Sequence, residues 1–335
     1  MQDISTTDYV YSITALADLG TGNHTCFAAC TSGLKKSDDS GVTWHAAYSK
    51  LGSQNRLATM AVVAPDDFHL RRFVVAGLSG GFLRSKDGGT HWEGSLLPNP
   101  PPTVSAMVIS PDFENDGILF AATLEDGIFC STNRGRSWEP RNFGLLDPNV
   151  LSLAISPAFA EDETIIAGTD SGIFRSSNGG RAWREAHLHC GFAATLALTF
   201  SYNYSSDCLI YAGTESSGLL QSEDTGISWK NIAADTCNGA VTAICTTGKG
   251  LLVLHNGQVL LSKDNRAFSQ WKANILKNIE VTALFAAHDL KIVLAGCIGG
   301  LVLKLNRPEP YYQIKSRAQH PRAGRYHNKS LDPQF

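Results

Sequence analysis

Short apolar runs, bounded by Gly, Ser, Asp and Asn, follow one another along almost the whole chain. One set alternates apolar and small or polar residues: ITALA (from Ile13), ATMAVV (Ala58), VSAMVI (Val104), VLSLAI (Val150), TLALTF (Thr195), VTAIC (Val241) and VTALF (Val281). Each is followed by a run rich in small residues, such as VVAGLSGG, IIAGTDSG and VLAGCIGG. Runs of this length and pattern predict strands, and no stretch carries a sustained helical period.

A polar motif recurs in phase with these pairs. It reads SDDSGVTW (Ser37–Trp44), SKDGGTHW (Ser85–Trp92), STNRGRSW (Ser131–Trp138), SSNGGRAW (Ser176–Trp183) and SEDTGISW (Ser222–Trp229). SKDNRAFSQW (Ser262–Trp271) reads as a sixth, degraded copy, so that every Trp of the chain takes the same place in the motif, at spacings of 48, 46, 45, 46 and 42 residues. Ser and Asp or Asn side chains accept backbone N–H bonds in tight turns, and Gly supplies positive φ at little cost. The Trp, back on a strand, can bury its ring against a neighbour. Each unit therefore predicts four antiparallel strands, A to D, with the motif in the C–D hairpin. Seven such units at a period of 40–50 residues predict an all-β, seven-bladed β-propeller of four-stranded antiparallel blades. The Ala-Gly pairs of strand B (Ala76-Gly77, Ala167-Gly168, Ala212-Gly213, Ala295-Gly296) suit the narrow inner part of a wedge-shaped blade.

Over roughly Ile13 to Asn306 the chain resembles the Asp-box, or BNR, repeat propellers, a superfamily that includes sialidases, xyloglucan hydrolases, the sortilin luminal domain and photosystem II assembly factors. The segments SPDFENDGILFAAT and SPAFAEDETIIAGT resemble the A–B loops of bacterial propellers of this type. The resemblance implies that the hairpins lie on the face opposite the ligand site. It thereby implies a structural role for Asp39, Gly41, Trp44, Asp87, Gly89, Trp92, Asn133, Gly135, Trp138, Asn178, Gly180, Trp183, Asp224, Gly226 and Trp229.

Charge divides the chain unevenly. The residues from Asn306 onward carry six Lys/Arg against two carboxylates, while the rest of the chain is net acidic. Residues 1–315 read as one propeller domain and 316–335 as a flexible basic tail. No apolar run is long enough to span a membrane, the start lacks the pattern of a secretory signal, and the eight cysteines contain no CxxC pair. Together these predict a cytoplasmic protein with buried free thiols. The seventh unit lacks the motif, so its outer strand is expected from Pro310–Lys315, with the N-terminal TDYVYS as the alternative.

For chemistry, the upper loops (the B–C turns and D–A connections) offer Glu125, Asp126, Asp170 and Glu215, with Arg56, Arg141 and Arg184 as candidate cations. Paired carboxylates in such loops could serve glycoside hydrolysis. The Arg-Ile-Pro sequence of sialidases is missing, however, and xyloglucan hydrolases of this repeat class use two propellers. HLHC (His187–Cys190) is a compact group of possible metal ligands, but strand alternation would turn Cys190 away from the two histidines. No cofactor motif is present, and the basic residues form no aromatic-interleaved strip for nucleic acid beyond weak contact through the tail. The reading is a non-enzymatic scaffold or complex subunit with a protein partner over its upper face; the alternative is a glycan-binding or sialidase-like propeller.

Overall fold

In the computed structural model the described residues are 8–17, 24–48, 58–64, 72–95, 101–265, 267–271 and 279–306. They form seven small antiparallel sheets ringed about an axis. Each blade meanders outwards from strand A to strand D; in blade 4, for example, Val150–Ile155, Ile165–Thr169, Ile173–Ser176 and Arg184–Glu185 pair in that order. The A strands touch one another all the way round, including that of blade 1 (Val10–Ala17) against that of blade 7 (Val281–Ala286). The seven-bladed propeller expected from the repeats is what the chain adopts.

The meander fixes two faces. A–B loops and C–D hairpins emerge on the lower one, B–C turns and D–A loops on the upper.

The hairpins work as clasps. In blade 1 the Ser37 hydroxyl donates to Asp39 Oδ1 (2.8 Å) and accepts from Gly41 N (2.9 Å). Asp39 then accepts the N–H groups of Val42 (3.0 Å) and Thr43 (2.8 Å). The same net forms around Asp87, Asn133 and Asp224, while at Asn178 the Oδ1 accepts from Ala182 N and the main-chain oxygen from Arg181 N. The glycine is demanded twice over. Gly226 has φ +90°, and a Cβ there would stand 2.6 Å from Ile166 of the preceding blade. The residue before it, Thr225, is also left-handed (φ 59°), as are Ser40, Arg134 and Asn265 at the matching places. That second requirement is not visible in the Ser-x-Asp-x-Gly pattern.

Each motif Trp packs against the blade before it. Trp138 stacks on Phe82 with ring centroids 4.0 Å apart, and Trp183 donates from Nε1 to Arg141 O (2.7 Å). Trp271 breaks the expected pattern. In blade 6 it is Phe268 that pairs with Ser262, while Trp271 lies three residues further along and packs with Leu254, Val293 and Leu305, towards blade 7. Here the hairpin closes one residue sooner, since Ser262 pairs with the residue six positions on while the Lys36–His45 pairing of blade 1 sets Ser37 opposite the residue seven on. Phe268 therefore holds the Trp position and packs back on blade 5.

The Ala-Gly pairs also act between blades. A Cβ on Gly77, Gly168, Gly213 or Gly296 would meet the next blade's A strand at 2.4–2.7 Å: Val104, Thr195, Val241 and Val10 respectively. Only hydrogen fits there.

Three departures concern local elements. Single helical turns, Phe113–Asp116, Phe159–Asp162 and Tyr204–Asp207, occupy the A–B loops of blades 3, 4 and 5, each tied by a Ser-to-Asp hydrogen bond (Ser110–Asp116, Ser156–Asp162, Ser201–Asp207). His187–Leu188 adds a short parallel strand to blade 5. Blade 7 shows three strands among the described residues, Val281–Ala286, Val293–Cys297 and Val302–Lys304. Pro310–Lys315 and the basic tail lie outside the described residues, and the N-terminal alternative does not hold, since Val10–Ser12 belong to the inner strand of blade 1. At this seam Gly300 N donates to Asp8 O (2.8 Å), Thr282 Oγ1 donates to Val10 O (2.8 Å), and Lys35 pairs with Asp8 (3.6 Å).

The carboxylate clasps make stability pH-dependent. Thr43 and Ser37 hold Asp39 well below the ordinary carboxylate range; Asp87 and Asp224 are lowered too, by hydrogen bonds that outweigh the opposing effect of burial. A folded-state pKa below the unfolded value near 3.9 gives stability that is present above that value and lost as pH falls through the folded one. Thermal melts should therefore show a drop in melting temperature setting in below about pH 4. Because Asn133 and Asn178 already fill this position, a triple Asp39→Asn/Asp87→Asn/Asp224→Asn chain should fold and should lose much of that acid sensitivity. An unchanged pH profile would refute the assignment.

Candidate functional site

With the hairpins committed to holding blades together, the upper end of the central channel is the place where side chains are least constrained by packing. Every A strand carries a β-bulge near its start: Tyr11, Met60, Ser105, Leu151, Leu196, Thr242 and Thr282 are skipped in the pairing with strand B. The residue before each bulge is buried, whereas the bulged residue itself is exposed or half-buried. Bulges re-aim side chains and gather near functional sites. Here they set one side chain per blade around the upper mouth. Two of them also lock neighbours: Ser105 donates to Val150 O and Thr282 to Val10 O.

The B–C turns are tied back to the same place. Asp170 N donates to Asn149 O (3.3 Å), Glu215 N to Ala194 O (2.9 Å) and Ile298 N to Glu280 O (3.1 Å), each acceptor lying just ahead of an A strand. Glu125, held at φ 81°, donates its N–H to Asn149 Oδ1 (3.0 Å). Glu125, Asp126, Asp170 and Glu215 thus stand on the upper face as expected, in three successive blades. Each is fixed by its backbone rather than by the others, and no hydrogen bond joins their carboxylates. Asn149 links the turns of blades 3 and 4. Beside it Asp147, which the sequence reading did not single out, accepts from Ser171 N (2.9 Å) and Ser171 Oγ (2.7 Å). Burial alone would raise its pKa; the Ser171 and Asn149 donors lower it.

The cations are placed differently from expectation. Arg141 turns to the outer wall, beside Cys130 and 3.9 Å from Glu139, because the chain after strand D runs along the next blade's edge instead of rising over the face. Arg184 is part of strand D of blade 4, opposite Arg175, in a cleft lined by Ser177, Asn178 and Ile227 on the hairpin side. Arg56 lies outside the described residues. His187 and His189 do share a side, with ring centroids 4.8 Å apart, while His189 Nδ1 lies 2.9 Å from Trp229 O. Among the described residues no cluster of three or more His, Cys, Asp or Glu is arranged to hold a metal ion. Burial pushes the Cys26, Cys30 and Cys245 thiols up to about 12, which suits packing and not nucleophilic chemistry.

Of the large hydrophobic side chains exposed among the described residues, Tyr9, Tyr11, Leu124 and Leu301 belong to upper turns or an A-strand start. Leu146 and Phe192 belong to D–A loops, and Phe143 lies on the outer edge of blade 4, where its carbonyl accepts from Trp183 N (2.8 Å). Val42, Ile227 and Tyr202 belong to the lower face. A cavity of about 1040 Å³ lies at the seam of blades 7 and 1, between Trp44, Leu34 and Val302, and reaches Ser32, Glu280 and Leu301 of the upper face.

No protein-family model matches the sequence, and no curated protein matches it. Solved structures do share the fold. YCF48 bound to D1 peptide is 15% identical with a TM-score of 0.68, over 91% of this chain and 95% of that one. The GH74 xyloglucanase from Xanthomonas campestris is 14% identical with a TM-score of 0.69, over 89% of this chain and 52% of that one. The extracellular domain of a one-component system from B. thetaiotaomicron is 17% identical with a TM-score of 0.66; this chain is covered to 91% and spans 39% of that chain. Similarity at this level shows a common propeller fold. No helix among the described residues is long and apolar enough to cross a membrane.

Proposed function

We propose that the chain is a non-catalytic propeller of the Asp-box class that holds a protein partner over its upper face, as a scaffold or a subunit of a larger assembly. The observation that carries this reading is the presence of exposed apolar side chains on the upper turns and D–A loops, Leu124, Leu146, Phe192 and Leu301, together with a bulged residue in every A strand, on the face the clasps leave free. Surfaces of this kind mark binding sites more often than chance exposure does. The YCF48 neighbour, solved with a bound D1 peptide, supports the peptide-binding form of the proposal. The xyloglucanase neighbour supports the alternative, a glycan-active site built on Glu125, Asp170 and Glu215. Carboxylates set one per blade around a ring favour binding over hydrolysis, which needs two of them facing one bond.

Photo-cross-linking separates the faces. A photoreactive amino acid at Leu146 or Phe192 is expected to yield a discrete adduct in the native cell, and one at Val42 or Ile227 none. Adducts only from the lower positions would overturn the proposal. Turnover of aryl glycosides that is abolished by Glu125→Gln or Glu215→Gln would favour the alternative.

A further inference from the structure

We infer that the cleft between the hairpins of blades 4 and 5 binds a small free oxyanion of the phosphate type, held between Arg175 and Arg184. The site lies on the clasp side of the ring and is independent of what the upper face receives. It emerges when the same three positions are compared from blade to blade: the strand C residue before the motif Ser, the residue after that Ser, and the strand D residue opposite the first. These positions are neighbours. Strand alternation puts the first two on one side, and the third is the cross-strand partner of the first.

Three blades balance charge at these positions from within the chain. Blade 1 sets Lys36 against Asp38 (3.0 Å), and blade 5 sets Lys230 against Glu223 (2.6 Å). Blade 2 pairs Arg84 with Glu93, which also meets Lys86 (3.6 Å). In blade 4 the three residues are Arg175, Ser177 and Arg184, with Arg175 directly opposite Arg184 in the ladder. Like charges so placed repel. Among the described residues the arginine ion pairs are those of Arg84, Arg141 and Arg181, and neither Arg175 nor Arg184 makes one. Glu185 borders the cleft, but it lies opposite Phe174 and so belongs to the other side of the sheet.

Blade 2 shows what a partner for this pair must do. Arg84 donates to Arg134 O in the next hairpin (3.3 Å) and to Glu93 on its own strand D. Arg175 makes the first of these contacts, from Nε to Thr225 O (2.7 Å) and from Nη2 to Thr225 Oγ1 (3.4 Å), and has no acid for the second. Its guanidinium is thus fixed by blade 5, with further N–H groups beside a cleft of about 360 Å³. Arg184, exposed on strand D, and Ser177 line the same cleft. Two forked guanidinium groups and a hydroxyl suit a tetrahedral oxyanion, which accepts bidentate bonds and neutralises both charges. An anion there ties strand D of blade 4 to a side chain already bonded to blade 5, and so adds to the clasp.

The test uses the full chain with inorganic phosphate, and chloride at matched ionic strength as the control. Calorimetric titration is expected to show phosphate binding that Arg184→Gln weakens by about tenfold, the scale of one lost charge-assisted hydrogen bond. Arg184→Glu restores the blade 2 arrangement, so it should raise the melting temperature in chloride and abolish phosphate binding. Phosphate also stabilises folded chains generally, by exclusion from their surface, so the melts are read as a difference between parent and Arg184→Glu. The parent should gain about 2 °C more from phosphate than the variant does. The reciprocal variant Glu93→Arg should give blade 2 a phosphate site of its own. A phosphoserine peptide, which carries the same group on a chain, should bind no tighter than inorganic phosphate.

Equal phosphate affinity in the parent and in Arg184→Glu would overturn the inference. So would a phosphoserine peptide bound more tightly than phosphate, because the ligand would then be a modified partner and not a free anion. Neither result bears on the upper-face proposal, which the cross-links at Leu146 and Phe192 test separately.

Discussion

Trp229→Ala is expected to cost on the order of 3–5 kcal/mol, enough to lower the unfolding midpoint sharply or to prevent accumulation of the folded chain. Trp229 is 1% exposed and fills the joint between blades 4 and 5 with Ile166, Ile173, Ala186 and Leu220. Its Nε1 donates to Gly226 O (3.3 Å), so the truncation also leaves a buried carbonyl without its partner. Replacement by Phe divides the two contributions, because it keeps most of the ring and removes only the donor. Trp138 provides the internal comparison, since its Nε1 is buried with no hydrogen-bond partner. Trp138→Phe should therefore cost less than Trp229→Phe in urea titrations. Equal costs would mean that the indole hydrogen bond contributes nothing to the clasp.

Gly213→Ala is expected to destabilise by about 1–3 kcal/mol despite adding a single methyl group. The added Cβ would lie 2.4 Å from the main-chain oxygen of Val241. A backbone atom cannot rotate aside, so relief requires blades 5 and 6 to separate near the axis. The comparison is Gly88→Ala in a hairpin, where a Cβ meets nothing within 4 Å and only the positive φ (+72°) opposes it. Denaturant midpoints for the two variants should rank Gly213→Ala well below Gly88→Ala. The reverse order would remove the inter-blade role assigned to the Ala-Gly pairs.

The fold was readable from the sequence because its information is local. Ser37, Asp39, Gly41 and Trp44 act within eight consecutive residues, and the set recurs at intervals that only a blade array explains. The upper face was less legible. Tyr11, Met60, Ser105, Leu151, Leu196, Thr242 and Thr282 share a position but no chemistry, and what unites them is a skipped pairing that exists only once strands A and B are aligned. Arg141 and Arg184 were misplaced for a related reason: the length of strand D and the course of the chain after it are set by the next blade's edge. Trp271 misled because the blade 6 hairpin closes one residue sooner, at Phe268, which took the Trp place without any change in hydrophobic pattern. Asp147 was not singled out, because its role comes from Ser171, twenty-four residues away. The carboxylates Glu125, Asp170 and Glu215 were found because B–C turns are marked by glycine, which fixes their location regardless of what they bind.

The central claim is a division of labour between two faces, and one paired measurement tests it most directly. Melting temperature and affinity for the partner captured by cross-linking, expressed per folded molecule, are compared in Asn178→Ala and in Glu125→Gln/Asp170→Asn/Glu215→Gln. The account predicts that Asn178→Ala, which removes the acceptor for Ser176 Oγ and Ala182 N, lowers the melting temperature and leaves affinity intact. The upper-face variant should do the opposite. Loss of affinity in a stable Asn178→Ala chain, together with unaltered affinity in the upper-face variant, would contradict it.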